Sequence, residues 1–259
     1  MSAGTAETGW LAVVGTGPGP DRWLTPETAA LVAAATDLVG YGPYVARVGG
    51  AHHRRHGSDN REELARAAHA LDLAASGARV VVVSGGDPGI FGMAAAIWEA
   101  TERAAHDRWH GVAIHIAPAV SAIQAVAAAA GAPLGNDFCV ISLSDNLKPW
   151  SLIAQRVEAA GLGDFAVAFY NPISRARPWQ LGQAMQILAA HRTPHTPVVV
   201  GTAIGRGDQQ LTLTDMSAFS PDQADMRTLV IVGNSTTRQL AAPDGRQRVY
   251  TPRCHPADF

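Results

Sequence analysis

The 259-residue chain holds two cysteines, Cys139 and Cys254, far apart and outside any CxxC pair. That excludes a disulfide scaffold and a cysteine-built zinc site, and fits a reduced compartment. Charge of one sign is not in excess either, since 20 Lys+Arg stand against 22 Asp+Glu. The chain as a whole is therefore not marked for nucleic acid or an anionic membrane, and neither is expected as a partner. Every apolar run is interrupted by polar residues, Gly or Pro well before bilayer length, and the opening MSAGTAETGW lacks the basic-then-apolar layout of a signal peptide. The expectation is a soluble, cytoplasmic protein. No G-x-S-x-G elbow occurs, which removes an α/β-type serine hydrolase. No internal repeat or low-complexity segment stands out.

What is present is apolar content, 47% of residues, enough for one large or two smaller cores. Short Val/Ile-rich runs at 11–15, 79–86 and 112–118 have the length and β-branching of buried strands. Alanine-rich stretches at 25–38, 62–76, 93–105 and 121–130 read as helices between them, the first opening on Thr25 as N-cap and Pro26 at N1. This alternation predicts a parallel α/β sheet. After GAPLGNDF it resumes in another style, with strands expected at 139–144, 164–172, 196–205, 209–215 and 228–234 and helices near 151–160 and 179–191. QQLTLTD alternates polar and apolar residues and suits an edge or antiparallel strand. The reading is thus two α/β domains, residues 10–130 with a mainly parallel sheet and 137–240 with a mixed sheet, a ligand cleft between them, and an irregular tail over 241–259.

Chemistry concentrates in three loops. Gly15, Gly17 and Gly19 follow a strand, but GTGPGP breaks the G-x-G-x-x-G spacing, and Asp37, read as a helix end, is not the acidic partner at the end of a second strand. A nicotinamide or flavin site is disfavoured on those grounds. SGGDPGIFGMA (84–94) offers bare backbone, a turn set by Pro88 and the carboxylate of Asp87, read as a ligand site or as a cap for the next helix. APAVSA (117–122) puts Ser121 at a helix start. Three such loops at one sheet edge describe a pocket.

In this order the loops VVGTGPGPDRWLT, SGGDPGIFGMA and PAVSA resemble the class III, or tetrapyrrole, S-adenosylmethionine-dependent methyltransferases, over roughly residues 10–240. GAPLGNDFCVISLSDNLKPW, FYNPISRARPWQL and TLVIVGNSTTR are similar to the branch that methylates precorrin-3B at C(17) and contracts the macrocycle to precorrin-4 in cobalamin biosynthesis; an anaerobic counterpart acts on a cobalt-containing substrate. The resemblance implies a homodimeric enzyme using S-adenosylmethionine and releasing S-adenosylhomocysteine. It implies cofactor contacts at Pro18, Gly85, Gly86, Asp87, Ile90, Ser121 and Ala122, with Asn171 and Ala203 from the second domain. The chain departs from the family's frequent residues at Ala203-Ile204, where Asn-Ala is usual, at Asn136 for histidine, at Phe91 for tyrosine and at Ala119 for glycine.

Methyl transfer from a sulfonium needs alignment and exclusion of water, whereas ring contraction driven by the C(20) hydroxyl needs a base. Asp145 and Lys148 are the candidates for that catalytic work. Arg175 and Arg177 are candidate anchors for a carboxylate-rich tetrapyrrole, and Tyr41 and Tyr44 candidate hydrogen-bond donors to it. Asp145 could alternatively cap the helix near Trp150. The histidine-rich AHHRRHGSDNR (51–61), with His52 and His56 four apart, reads as a mobile basic loop or substrate-docking lid, and no metal is expected. His106, His110 and His115 read as scattered and structural or exposed. The competing readings are a same-fold enzyme acting on RNA or protein, a nicotinamide oxidoreductase, and a non-catalytic binding module.

Overall fold

The computed structural model describes residues 9–59, 62–105 and 108–254. His106 and residues 60–61 of the histidine-rich segment lie outside them. Contacts divide the chain into two compact units, one up to Ser121 and one from Ala122.

The first unit runs β1 (Trp10–Gly15), α1 (Pro26–Ala34), β2 (Asp37–Tyr41), α2 (Gly42–Val45), β3 (Arg54–Ser58), α3 (Glu63–Ala75), β4 (Arg79–Ser84), α4 (Met93–Arg103) and β5 (Ala113–Ala117). Its sheet has the order β3-β2-β4-β1-β5, every pair parallel. Both faces of the central strands are covered, which is why they read as unbroken apolar runs. Leu11, Val13, Val80 and Val82 pack with Leu71 of α3 and Ile97 of α4 on one face, while Ala12, Val14, Val81 and Val83 pack with Val32 of α1 on the other. Each such Val, Leu or Ile side chain contributes about 1.5–3 kcal/mol by leaving water.

Two expectations fail here. The helix expected to reach Leu38 stops at Ala34, because Ala35 turns extended (ψ 154°) and Asp37 opens β2, fully buried. Asp37 accepts from Arg54 Nε (2.8 Å) and Nη2 (2.6 Å), His56 Nε2 (2.9 Å) and Thr36 Oγ1 (2.7 Å). Arg54 and His56 lie on the segment read as a mobile loop, whose residues 54–58 instead form the edge strand β3. Its basic side chains hold neighbouring groups: Arg55 donates to the carbonyls of Val45 and Val48, and His53 Nε2 donates to Val32 O. An edge strand rich in charge also resists pairing with foreign strands.

The second unit runs α5 (Ala122–Ala130), β6 (Gly131–Ala132), β7 (Phe138–Ser142), α6 (Trp150–Leu162), β8 (Ala166–Tyr170), α7 (Gln180–Ala189), β9 (Pro197–Thr202), β10 (Gln210–Asp215), β11 (Thr228–Val232), β12 (Arg238–Ala241) and β13 (Gln247–Tyr250). Its main sheet, β10-β9-β11-β8-β7, is mixed: β7 and β8 are parallel, the other pairs antiparallel, and QLTLTD is indeed the antiparallel edge. Phe169, Ile153, Leu181, Leu188 and Val230 centre its core. Cys139 borders that core, and burial pushes its thiol up to about 11, so it stays a protonated, inert group.

The boundary expected after residue 130 falls instead before α5. That helix belongs with the second unit because Val126 closes on Gly201 of β9, where a Cβ would meet both its methyls. The tail is not irregular throughout either. Residues 238–250 form the β12–β13 hairpin, and β13 pairs in parallel with β6. Buried hydroxyls fasten it: Thr237 Oγ1 meets Thr251 Oγ1 (2.8 Å), which donates to Pro133 O (2.6 Å). Asn136 Nδ2 donates to Pro252 O (3.2 Å), giving that position a structural task.

Candidate functional site

In the first unit the chain leaves β1, β4 and β5 through the three loops, the first two glycine-bearing, and these strands are neighbours, so the loops emerge side by side at the carboxyl edge. They touch. A Cβ on Gly15 would collide with the Gly86 carbonyl and the Pro88 ring, both from the second loop, and with the Ala119 methyl from the third. Gly17 and Gly86 exchange backbone hydrogen bonds, N–H to O at 3.3 and 3.1 Å. Glycine at 15 is therefore dictated by close approach, and at 17 (φ 69°) and 86 (φ 64°) by left-handed backbone.

Asp87 is the fastener. Its Oδ1 accepts the Gly89 N–H (2.8 Å) and its Oδ2 the Ala119 N–H (2.8 Å). It is not a helix cap, since the N-cap of α4 is Gly92, which makes no side-chain capping bond. Tyr44 lies against Gly85, whose Cβ would come 2.7 Å from the phenol Cζ, and Tyr41 packs edge-on to Tyr44 at 5.3 Å between ring centroids. Pro18 is half-buried in the first loop, Ser121 is buried, and Ile90 and Phe91 are exposed at the tip of the second. Phe91 is itself left-handed (φ 54°). Gly86 differs from its neighbours in facing open space, with no atom within 4 Å of where a Cβ would sit. A bare backbone face beside tightly packed glycines is what a ligand lying on the main chain requires, and Gly85, Gly86 and Asp87 fit that use.

In the second unit β7, β8 and β9 all point their carboxyl ends to one edge, as the register Ile141↔Phe169↔Val230↔Val200 requires. Asn171, just after β8, and Ala203, just after β9, are both left-handed (φ 50° and 51°). Asparagine tolerates this region; alanine does so at a cost of about 1 kcal/mol. Two of the four left-handed non-glycine residues in the described structure, Asn171 and Ala203, thus fall at sequence-predicted ligand positions, and a third, Phe91, adjoins Ile90, in keeping with the tendency of backbone strain to collect at such sites. Asn171 Nδ2 donates to Ser142 Oγ (3.0 Å), and Arg177 Nη1 donates to Asn171 O (2.9 Å). Arg177 is buried and holds its own loop, while Arg175 is exposed. Ala122 opens α5, whose Ile123 N–H is accepted by the Tyr170 hydroxyl (2.9 Å).

Asp145 follows β7 and is half-buried, with Oδ2 accepting from Gln180 Nε2 (3.0 Å). It does not cap α6, whose N-cap is Pro149. Lys148 sits below its ordinary value because burial penalises its charge and Arg156 repels it, with Asp145 opposing both. Ser142, Tyr170 and Gln180 were not singled out by sequence reasoning. Gln180 had a signal: it occupies the same buried helix face as Leu181, Ala184 and Leu188, where a polar side chain needs a partner. No group of three or more His, Cys, Asp or Glu side chains gathers at one point among the described residues. His110 is exposed, and His115 pairs with Glu27 at 2.7 Å.

A parallel sheet with glycine loops knotted at one edge, followed by a mixed sheet with strained loop residues at its own edge, is the build of a tetrapyrrole methylase. The model of the tetrapyrrole (corrin/porphyrin) methylases matches residues 11–219, and the chain belongs to that family. Within it, the chain is 49% identical to a precorrin-3B C(17)-methyltransferase of Sinorhizobium sp, over 95% of its own length and 97% of the relative's. It is 39% identical to a probable cobalt-factor III C(17)-methyltransferase of Salmonella typhimurium, over 88% and 93%. The crystal structure of the methyltransferase CobJ superposes with a TM-score of 0.89 at 48% identity, covering 94% of this chain and all of that one.

Proposed function

We propose that this protein methylates precorrin-3B at C(17) with S-adenosylmethionine and contracts the ring to precorrin-4. The observation that carries the reading is the open Gly86 backbone among loops fastened by Asp87, in a chain so close over its whole length to an enzyme of that name. The higher identity to that relative than to the cobalt-factor III enzyme favours a cobalt-free substrate.

When bound, the sulfonium supplies an activated methyl group. The chain's own residues need only hold donor and acceptor in line and keep water away. Pro18, Gly85, Gly86, Asp87, Ile90, Ser121, Ala122, Asn171 and Ala203 would hold the cofactor, mostly through main chain. Exposed Arg175 would pair with a substrate carboxylate, with Arg177 supporting the turn at Asn171, and Tyr41 and Tyr44 would donate to the macrocycle. For the contraction, Asp145 would accept the proton of the C(20) hydroxyl. The O–H electron pair then becomes the new carbonyl bond, while the ring carbon–carbon bond breaks at C(20) and its pair forms a bond to the neighbouring ring carbon, made electron-poor by the conjugated macrocycle that has gained the methyl cation. Lys148, its charge disfavoured by burial, would assist as a donor or anchor.

Incubating the purified protein with precorrin-3B and isotopically methyl-labelled S-adenosylmethionine should give precorrin-4 carrying one label, identified by mass spectrometry and NMR. Turnover of cobalt-factor III in preference to precorrin-3B would replace the substrate in this reading. The protein is also proposed to act in the cytoplasm as a homodimer, the commonest closed assembly. Sedimentation showing only monomer at micromolar concentration would contradict the dimer. No helix among the described residues is long and apolar enough to cross a membrane.

A further inference from the structure

We infer that Gln180 is a positioning residue that sets the orientation of the Asp145 carboxylate, a role resting on the reading of Asp145 as the contraction base. Gln180 is the first residue of α7 and 1% exposed. Its amide can face only one way. Oε1 accepts the Trp179 N–H (3.3 Å), which leaves Nε2 to donate to Asp145 Oδ2 (3.0 Å). Turning the amide over would set oxygen against carboxylate and NH2 against N–H, losing both bonds. A carboxylate can only accept, so the buried amide, fixed as a donor, holds Oδ2 in place and with it the orientation of Asp145. Trp179 in turn is held edge-on against Trp150 at 5.0 Å.

The geometry also assigns the two carboxylate oxygens different work. Oδ2 is held by α7, whereas Oδ1 has no protein hydrogen bond among the described residues and remains available to a substrate hydroxyl. Lys148 on its own loop attracts Asp145, Arg156 on α6 acts on Lys148, and α7 presents the neutral Gln180.

The test uses the full chain and two variants. Gln180→Glu keeps the shape and an acceptor for the Trp179 N–H but sets a like charge beside Asp145; Gln180→Met keeps the volume and removes the donor. Asp145 is followed by carboxyl carbon NMR, its signal identified by its loss in Asp145→Asn, and precorrin-4 formation is followed against pH. In Gln180→Glu the Asp145 titration and the acid limb of contraction should both move upward, by about one pH unit or more, while cofactor binding is retained. Gln180→Met should move them the same way. An Asp145 titration unmoved in both folded variants overturns the inference. A titration that moves while the contraction profile stays still overturns the reading of Asp145 as base, and with it any catalytic role for Gln180, and leaves only the contact.

Discussion

The carboxylate of Asp87 accepts the backbone N–H of Ala119 at 2.8 Å while its other oxygen accepts that of Gly89, so one side chain joins the loop after β4 to the loop after β5. An acid in a glycine-rich loop invites the reading that it meets a cationic ligand directly. Here both oxygens already hold main chain, and any service to a sulfonium is added to that task.

Replacing Asp87 by Asn leaves one oxygen for two N–H groups and points an NH2 at the second. Stability should fall by about 1–3 kcal/mol in urea titration, with weaker binding of S-adenosylhomocysteine by calorimetry. Unchanged values for both would mean the loops do not depend on this carboxylate.

Gly86→Val places a branched side chain in the open space above a left-handed backbone (φ 64°). S-adenosylhomocysteine binding should be lost, with a circular dichroism spectrum like the parent's and a strain cost of about 1–2 kcal/mol. Retained affinity would remove this loop from the cofactor site.

Ala203 is held at φ 51°, a conformation glycine adopts freely. Ala203→Gly should leave stability equal or higher, whereas Ala184→Gly in α7 should cost about 1 kcal/mol or more. Equal losses at both sites would argue against strain at 203.

Asp37 is held well below the usual carboxylate range, first by the Arg54 hydrogen bonds and further by Thr36 and His56, against the opposing effect of burial. A depressed folded value means the contribution to stability is complete above about pH 3.9 and fades as pH falls below it. The stability difference between the parent and Asp37→Asn should therefore narrow on acidification below pH 4, measured by denaturant titration. A gap that stays constant down to pH 2 would refute the linkage.

Asp145→Asn should uncouple the two reactions. A C(17)-methylated, uncontracted macrocycle is the expected product, detected by mass spectrometry and NMR; a normal yield of precorrin-4 would dismiss Asp145 as the base.

Much of this molecule is legible in the residues because strands covered on both faces demand apolar runs, and β1, β4, β8 and β11 have them. β3 was not legible. Its residues, RRHGS, are stabilised by a buried carboxylate on β2 and by nearby carbonyls, relations that no local pattern carries. The assignment of α5 failed for a related reason: an alanine-rich apolar helix can cover either sheet, and the contacts that decide, such as Val126 against Gly201, are distant in the chain. At the candidate site the glycines announced themselves by spacing, and Asp87 by its place among them. Gln180 was marked only as a polar residue on an apolar helix face, since its partner, Asp145, lies 35 residues earlier.

The pairing of β13 with β6 bears on the order in which the chain can finish folding during synthesis. Every strand and helix of the first unit is complete by Ala117, so that sheet can close while the ribosome is still making the rest. The segment at Gly131–Ala132 must wait for Val249 and Tyr250, more than a hundred residues later, before its edge is covered and Thr251 reaches Pro133. Long-range closures of this kind are slow and leave strand edges bare in the interval. The second half of the molecule is accordingly where a translating cell would need chaperone protection, and where truncation even a few residues short of Thr251 would be felt at a position half a chain away.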